Sequence, residues 1–208
     1  MRLTPTQNVA VDLIIIAYDR NDHMVKLYTP KREVEPAKGQ PALPGVLLQE
    51  GEHISSAVQR TIKDKTQLDE LTYNLQELPA RTNPYRDERG HVMSIPTLVL
   101  LHGQNNFDED WVPFVTDIKL PFDHTEMVNL AYNILASNWD KYPLPLLLAG
   151  DKITLEEMKD ILSHFLPYYE KVIPSNLRQM MFAQKFLTET DEFAKTNTQG
   201  RPPRYYTI

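Results

Sequence analysis

Residues 44–68 read PGVLLQEGEHISSAVQRTIKDKTQL, a short extended segment followed by a loop and a helix. Apolar residues recur in the second half at the spacing of one helical face, namely Ile54, Ala57, Val58 and Ile62. We therefore expect a helix over about 54–65. The loop before this helix carries two acidic side chains, Glu50 and Glu52.

The stretch resembles the Nudix box, the loop and helix with which pyrophosphate hydrolases hold divalent cations. An intact box has the form G-x5-E-x7-R-E-U-x-E-E-x-G-U, in which U is a bulky aliphatic residue. Its clustered glutamates lie on one helical face and bind hard cations through oxygen ligands. The matching positions are Glu52, Arg60, Ile62 and Leu68. We expect Glu52 to bridge to Arg60 and to tie the loop to the helix.

Other positions of the box have changed in a way that affects its chemistry. Val46 and Gln67 replace the two glycines. Thr61 and Lys65 replace two of the clustered glutamates, and only Asp64 remains. The ammonium of Lys65 is expected about where a cation should bind. Because Mg²⁺ usually needs one or two carboxylates plus substrate phosphates, the degenerate box predicts no metal site, no catalytic residue and no cofactor.

Length and composition bound the remaining possibilities. The 208 residues, 41% hydrophobic and 24% charged, are typical of a soluble globular protein with one large domain or two ordinary ones. The longest apolar run is too short to cross a bilayer and no signal peptide is recognisable, so we expect a cytoplasmic protein without a membrane partner. The sequence has no cysteine, which excludes disulfides and thiolate chemistry.

The charge is unevenly distributed along the chain. The formal net charge is −6 and the pI is near 5.5, which argues mildly against nucleic-acid binding. From Lys171 to Ile208, however, six lysine and arginine residues outnumber three acidic residues. The C-terminal part is therefore the part suited to a polyanionic partner.

The first two thirds of the chain are typical of a strand-rich α/β unit. Strands are predicted over 9–18 and 24–28, which form a hairpin, and over 73–80 and 92–101. Pro96 weakens the last of these strands or places it at an edge. The predicted fold class of this part is α/β, a mixed sheet with helices.

The last third has a helical pattern. Asp123 stands as an N-cap before a helix that should end near Trp139. Thr154 and Glu157 have the spacing of a capping box at the start of the next helix, and Pro174 opens another.

A winged helix-turn-helix follows from this pattern. The two short helices are followed by a polar stretch and by residues 205–208, which alternate like a strand. Two helices and a terminal hairpin predict an α+β winged helix-turn-helix domain. We place the Nudix-like domain at 1–138 and the winged helix at 139–208.

The order of these pieces resembles the Nudix-related transcriptional regulators, the NrtR family. The resemblance rests on the degenerate box and on three motifs, YRDERG at 85–90, PFDHTE at 121–126 and GRPPRYY at 200–206. It implies a dimeric DNA-binding regulator whose Nudix-like domain senses ADP-ribose or a related nucleotide sugar, and which controls genes of NAD or sugar metabolism. The residues leave the sign of regulation open, with a repressor as the working expectation.

DNA contacts are predicted for the second helix of the winged helix and for the wing. Side chains that hydrogen-bond adenine or guanine edges in the major groove are Asn176, Arg178 and Gln179. Phosphate contacts are expected at Lys185, Lys195, Arg201 and Arg204. Because the domain is only modestly basic, one copy should bind weakly, and we expect a homodimer on a palindromic double-stranded operator.

Arginines are the candidates for effector contact, because the guanidinium fork matches phosphate oxygens. The polar loop 81–90 carries three of them and is either a solvated hairpin tip or an anion-binding loop. The candidates for pyrophosphate contact are Arg32, Arg81, Arg86 and Arg89. We expect Arg86→Ala to keep DNA binding and to reduce the response to effector.

Two other classes of function stay open on the sequence. A Mg²⁺-dependent nucleoside-diphosphate-sugar pyrophosphatase, acting on ADP-ribose for example, would need Glu50, Glu52 and Asp64 to converge on a metal ion. A protein-binding adaptor would use the winged helix without DNA. A regulator needs a pocket and a basic wing instead.

Overall fold

The computed structural model describes residues 8–66, 68, 72–104, 106–137, 139–195 and 202–208. The strands are β1 (Asn8–Asp19), β2 (Met24–Tyr28), β3 (Gly45–Leu47), β4 (Tyr73–Glu77), β5 (Val92–Ser94), β6 (Thr97–Leu101), β7 (Trp111–Pro113), β8 (Thr188–Phe193) and β9 (Arg204–Thr207). The α-helices are α1 (Ile54–Lys65), α2 (His124–Ala136), α3 (Leu155–Phe165) and α4 (Pro174–Ala183), with 3-10 helices at Leu144–Ala149 and Pro167–Lys171. Among the helices of these ranges, none is long and apolar enough to cross a membrane.

The long strand β1 organises the N-terminal sheet. Its first half pairs with antiparallel β3 and parallel β5, and its second half pairs with antiparallel β2 and parallel β6. β4 extends the sheet beyond β6, and β7 extends it beyond β2. The predicted mixed sheet is confirmed. Asp12 lies opposite Gly45, next to the point where β1 changes its neighbours, and this places a carboxylate inside the sheet.

The strand predicted over 92–101 is two strands, β5 and β6, so its continuity was wrong. Pro96 lies in the break, because a proline has no N–H to give to a ladder. The chain nevertheless stays beside β1, since Ile95 N–H donates to the carbonyl of Ala10 at 2.9 Å. The extended segment predicted over 73–80 is a strand only as far as Glu77.

Successive side chains of β1 point to opposite faces of the sheet and supply two cores. Leu13 and Ile15 pack with α1, whose apolar face is the predicted one, and the helix bounds 54–65 are confirmed. Ile14 and Ile16 belong to a second cluster that also contains buried residues of α2, α3 and α4. The face of the sheet opposite α1 therefore shares one core with the C-terminal helices.

The C-terminal elements form the expected winged helix. The capping box at the start of α3 is confirmed, because Thr154 Oγ1 accepts from Glu157 N at 3.2 Å and Glu157 Oε2 accepts from Thr154 N at 2.8 Å. β8 and β9 form an antiparallel hairpin after α4. Backbone hydrogen bonds between Ile153 and Tyr206, both at 2.9 Å, attach this wing to the start of α3.

The helix α2 begins after Asp123 as predicted, but it ends earlier than predicted. Asp123 occupies the N-cap position, but its side chain makes no capping hydrogen bond and serves another contact. The helix ends at Ala136, three positions before the expected end at Trp139, whose ring packs edge-on against Tyr169 with centroids 5.1 Å apart. Trp139 is therefore a packing residue of the C-terminal part.

Polar contacts join the first hairpin to α3. Tyr18 Oη donates to Asp160 Oδ2 at 2.8 Å, and Arg20 Nε donates to Glu157 Oε1 at 2.5 Å. Near the C-terminal end of α3, His164 Nε2 lies 2.7 Å from the carbonyl oxygen of Phe114. These contacts fix the winged helix against the N-terminal sheet.

Candidate functional site: a cationic cavity and a winged-helix surface

A cavity of about 180 Å³ opens beside the first half of β1. Its basic lining residues are Arg32, Lys65, Arg86 and Arg89. Its acidic lining residues are Asp12 and Asp87, and burial lowers the pKa of the neighbouring His124, which is therefore neutral at pH 7. The cavity thus carries two more positive than negative charges.

Arg86 is the buried centre of an ion-pair network under this cavity. Its Nη2 donates to Asp12 Oδ2 at 3.0 Å and to Asp123 Oδ1 at 2.8 Å, and Ser94 Oγ donates to the same oxygen of Asp12 at 2.7 Å. Burial opposes the charged guanidinium, but Asp123 and Asp12 together raise the pKa of Arg86. This geometry revises the expectation for Arg86→Ala, because alanine here removes the partner of two buried carboxylates.

Arg81 is the predicted arginine that does not line the cavity. Its guanidinium is held by Asp123 and Glu126 at the start of α2. Burial favours the neutral form of Asp123, yet Arg86 and Arg81 outweigh it and lower the pKa of this carboxyl. Arg81 therefore helps to position α2, and a direct contact with an effector stays a prediction without geometric support.

Arg32 and Arg89 reach the cavity from two different loops and meet at one aromatic ring. Their guanidinium carbons lie 5.0 Å and 5.9 Å from the ring centroid of Phe122. Arg89 is also paired with Asp87 at 2.6 Å, whereas Arg32 Nε donates to the carbonyl of Pro36 at 2.8 Å. Burial and the nearby charge of Arg89 lower the pKa of Arg32.

Phe122 was not predicted as a site residue. Its backbone has φ +59°, a left-handed conformation that is unusual for a bulky side chain and is often found at functional sites. The sequence signal was the PFDHTE motif that contains it, but a motif alone does not place its ring under two guanidinium groups.

A larger cavity of about 620 Å³ adjoins the cationic one. The two share lining residues, among them Arg32, Gly45 and Lys65. The larger space is within the size range of small-molecule sites, and it carries Tyr28 on one wall. A ligand with a compact anionic group and a bulkier organic part fits this pair of cavities.

The loop and helix of the box are joined as expected. Arg60 Nε and Nη2 donate to the two carboxylate oxygens of Glu52, each at 2.8 Å, and Nη2 also donates to the carbonyl of Leu47 at 3.0 Å. The Arg60 guanidinium lowers the pKa of Glu52 to about 2. The predicted bridge is confirmed, and both carboxylate oxygens of Glu52 accept hydrogen bonds from Arg60.

The rest of the degenerate box does not fit a divalent cation. Thr61 is buried and its hydroxyl donates to the carbonyl of Ala57 at 2.7 Å. Asp64 is exposed at the larger cavity, Glu50 is exposed, and Gln67 lies outside the described residues. Within the described ranges, no three His, Asp or Glu side chains gather as a metal site.

The surface predicted to contact DNA is exposed on α4 and the wing. Asn176, Arg178 and Gln179 are all exposed along α4. Of the predicted phosphate contacts, Lys185 and Lys195 are exposed and Arg204 is partly buried in β9. Arg201 lies outside the described residues.

Glu189 connects the two halves of that surface and was not predicted. Its carboxylate accepts a hydrogen bond from Arg178 on α4 and another from Arg204 Nη1 on the wing, the latter at 3.0 Å. The guanidinium of Arg178 also lies 4.7 Å from the ring centroid of Phe182. A carboxylate therefore stands between two of the arginines that were predicted to meet DNA.

Comparison with known proteins relates both parts of the chain to characterised sequences. No protein-family model matches. Over 96% of this chain and 80% of the relative, the sequence is 24% identical to the ADPR responsive transcriptional repressor NtrR of Acinetobacter baylyi. Over 58% of this chain and 70% of the relative, it is 35% identical to the ADP-ribose pyrophosphatase of Methanocaldococcus jannaschii.

Among solved structures, the fold is similar to NrtR of Shewanella oneidensis crystallised with a 27mer DNA. The TM-score is 0.79 at 22% identity, and the match covers 96% of this chain and 93% of the other. The likeness thus includes the N-terminal sheet and the winged helix together. With its degenerate box and its winged helix, the chain is similar over nearly its whole length to the Nudix-related transcriptional regulators, the NrtR family.

Proposed function

We propose that this protein is a DNA-binding transcriptional repressor whose Nudix-like domain senses a nucleotide sugar such as ADP-ribose. Residues 1–138 form the sensing domain, and residues 139–208 bind a palindromic operator as part of a homodimer. The regulated genes belong to NAD or sugar metabolism, and the protein acts in the cytoplasm. The repressor relative and the DNA-bound structural neighbour support this proposal.

The observation that carries the proposal is the charge of the cavity. Four basic and two acidic side chains line it, while the carboxylates of the box are bridged, replaced or exposed. This excess of two positive charges would neutralise the two negative charges of a diphosphate that links two sugars. The site is therefore suited to bind such an anion and lacks the ligands to hydrolyse it with a metal ion.

Contacts of α2 support a route from the cavity to the winged helix. At its start, Asp123 is bound to Arg86 under the cavity. In its middle, Tyr132 Oη donates to the backbone carbonyl of His164 on α3 at 2.7 Å. A ligand that shifts the Arg86 network would therefore act on the helix that touches α3, and two global states of the dimer would give that shift an effect on DNA affinity.

The test of the function uses the full chain and fluorescently labelled DNA from upstream of its own gene and of neighbouring genes. We expect one such duplex to bind more tightly than a scrambled duplex of the same length. Addition of ADP-ribose should weaken that complex, as measured by fluorescence anisotropy. Equal affinity for all duplexes would contradict the DNA-binding proposal, and a complex unaffected by ADP-ribose would contradict this effector.

The enzyme alternative gives a direct prediction. Because the structure offers no carboxylate cluster for a cation in its described parts, ADP-ribose with Mg²⁺ or Mn²⁺ should not be hydrolysed at a rate typical of enzymes, about 1 per second or faster. Release of AMP, followed by liquid chromatography, measures this rate. Turnover at that level would show that the pyrophosphatase function persists.

The wing gives a second prediction, in which two substitutions at one contact should change the DNA affinity in opposite directions. Arg204→Ala removes a phosphate-binding cation, so DNA affinity should fall at every sequence and the slope of log K against log salt should decrease by about 1. Glu189→Gln removes a negative charge beside the same surface, so affinity for a scrambled duplex should rise. Both effects are measured by anisotropy titrations over a range of salt concentrations.

A matched control for the wing is Lys63→Ala, an exposed lysine on α1 far from α4 in the chain. It removes the same charge and should leave DNA affinity unchanged. If Arg204→Ala and Lys63→Ala bind operator DNA like the parent protein, the wing does not contact phosphate.

A further inference from the structure

Lys65 is an exposed residue that lines the cationic cavity. It is the last residue of α1, and its Nζ donates to the carbonyl of Gly45 at 2.5 Å. Position 45 has no room for a side chain, since a Cβ there would lie 2.2 Å from Asp12 Oδ1. The close approach of Gly45 to Asp12 therefore fixes the carbonyl that orients the ammonium.

Lys65 and Arg32 face the cavity as cations without an anionic partner in the described parts of the chain. The side chain of Lys65 donates to the backbone carbonyl of Gly45, and that of Arg32 donates to the backbone carbonyl of Pro36. Their remaining N–H donors are available to a ligand. Burial and the charge of Arg32 lower the pKa of Lys65, although the charge of Asp12 opposes this shift.

In an intact Nudix box, the position of Lys65 bears one of the clustered glutamates. With Glu52 held by Arg60 and the Thr61 hydroxyl given to the backbone, the remaining residues do not form a divalent-cation site. An ammonium at this place supplies positive charge and hydrogen-bond donors directly. Phosphate oxygens are the natural acceptors for such a point charge.

We propose that the ammonium of Lys65, together with Arg32, replaces the divalent cation of the Nudix box, so that the diphosphate of the effector binds without metal. This inference rests on the proposed sensing function and specifies how the site recognises its ligand. The ligand class is a diphosphate that bridges two organic groups, with the diphosphate in the smaller cavity and an organic part in the larger one.

The test measures binding of ADP-ribose to the full chain by isothermal titration calorimetry, once with EDTA and once with Mg²⁺. We expect the two dissociation constants to agree within about twofold. Lys65→Met keeps the aliphatic stem and removes the charge, so it should weaken binding in EDTA by roughly tenfold or more, the effect of losing a charged hydrogen bond. Inorganic pyrophosphate serves as a second probe that lacks the organic groups.

Lys63→Ala is the matched control, because Lys63 is exposed on the same helix and does not line the cavity. It should bind ADP-ribose like the parent. Thermal unfolding of both variants checks that the fold is kept, and Lys65→Arg, which retains the charge, should recover part of the affinity.

The outcomes separate this inference from the function on which it rests. Binding of ADP-ribose that requires Mg²⁺, or that is unaffected by Lys65→Met, would overturn the role of Lys65 while the sensing function stands. Failure of ADP-ribose and pyrophosphate to bind under either condition would overturn both.

Discussion

Replacement of Arg86 by alanine should destabilise the protein by about 3–5 kcal/mol, the usual effect of removing one partner of a buried ion pair. The side chains of Arg86, Asp12 and Asp123 are 4%, 11% and 10% exposed, so Asp12 would lose its ion-pair partner while buried, and Asp123 would keep only Arg81. Chemical denaturation followed by circular dichroism measures the loss. Because the winged helix shares a core with the sheet, DNA binding should decline as well.

The control for Arg86 is a surface ion pair. Lys31 and Glu109 are 3.4 Å apart, with side chains 61% and 80% exposed, and Lys31→Ala should change the free energy of unfolding by less than about 1 kcal/mol. An Arg86→Ala protein as stable as the Lys31→Ala protein would show that the network contributes little.

The same network gives the stability a defined pH dependence. Since the folded-state pKa of Asp123 is lowered, its contribution is fully present above the unfolded value of about 4 and is lost as the pH falls through the lowered value. Arg86→Ala should lose the larger share of this acid-dependent part and keep the share that comes from Arg81. Its free energy of unfolding should therefore change less than that of the parent between neutral and strongly acidic pH.

The second large effect concerns the coupling between effector and DNA. Saturating ADP-ribose should weaken operator binding by about 5- to 150-fold, which corresponds to a coupling of roughly 1–3 kcal/mol. Arg32→Ala should leave DNA affinity unchanged in the absence of effector, because Arg32 lies in the sensing cavity. It should raise the ADP-ribose concentration needed for release by roughly tenfold or more, since a charged hydrogen bond is lost.

Lys38→Ala is the control for that experiment, because Lys38 is exposed in the same loop and does not line the cavity. Linkage supplies an internal check, since operator DNA must weaken ADP-ribose binding by the same factor. An Arg32→Ala protein that responds to ADP-ribose like the parent would exclude this arginine from the effector site.

Local signals in the sequence predicted local structure well. The capping box of Thr154 and Glu157, the bounds of α1 and the bridge from Glu52 to Arg60 each depend on residues a few positions apart. Pro96 was expected to weaken its strand or to place it at an edge, and it instead divides the predicted strand into β5 and β6. These features follow from backbone chemistry and helical spacing, which are visible in a single sequence.

The features that were missed depend on long-range partners. Asp12 lies within a predicted strand and was not predicted as a site residue, but it pairs with Arg86, 74 residues away. Asp123 was predicted as an N-cap, and it does occupy that position before α2. Its carboxylate, however, pairs with two arginines of the loop 81–90. No periodicity reports such a pairing. The sequence therefore identified arginines as candidates for the site without distinguishing those that support it from those that face the ligand.

The carboxylate of Glu189 has a consequence for how many copies of this regulator a cell needs. A genome offers about 10⁶–10⁹ competing non-specific sites, and occupancy of an operator depends on the ratio of specific to non-specific affinity. If α4 and the wing bind DNA as proposed, a negative charge between Arg178 and Arg204 should weaken the sequence-independent attraction to DNA, which is mainly electrostatic. More molecules would then be free to search for the operator, and a smaller pool of protein could keep it occupied.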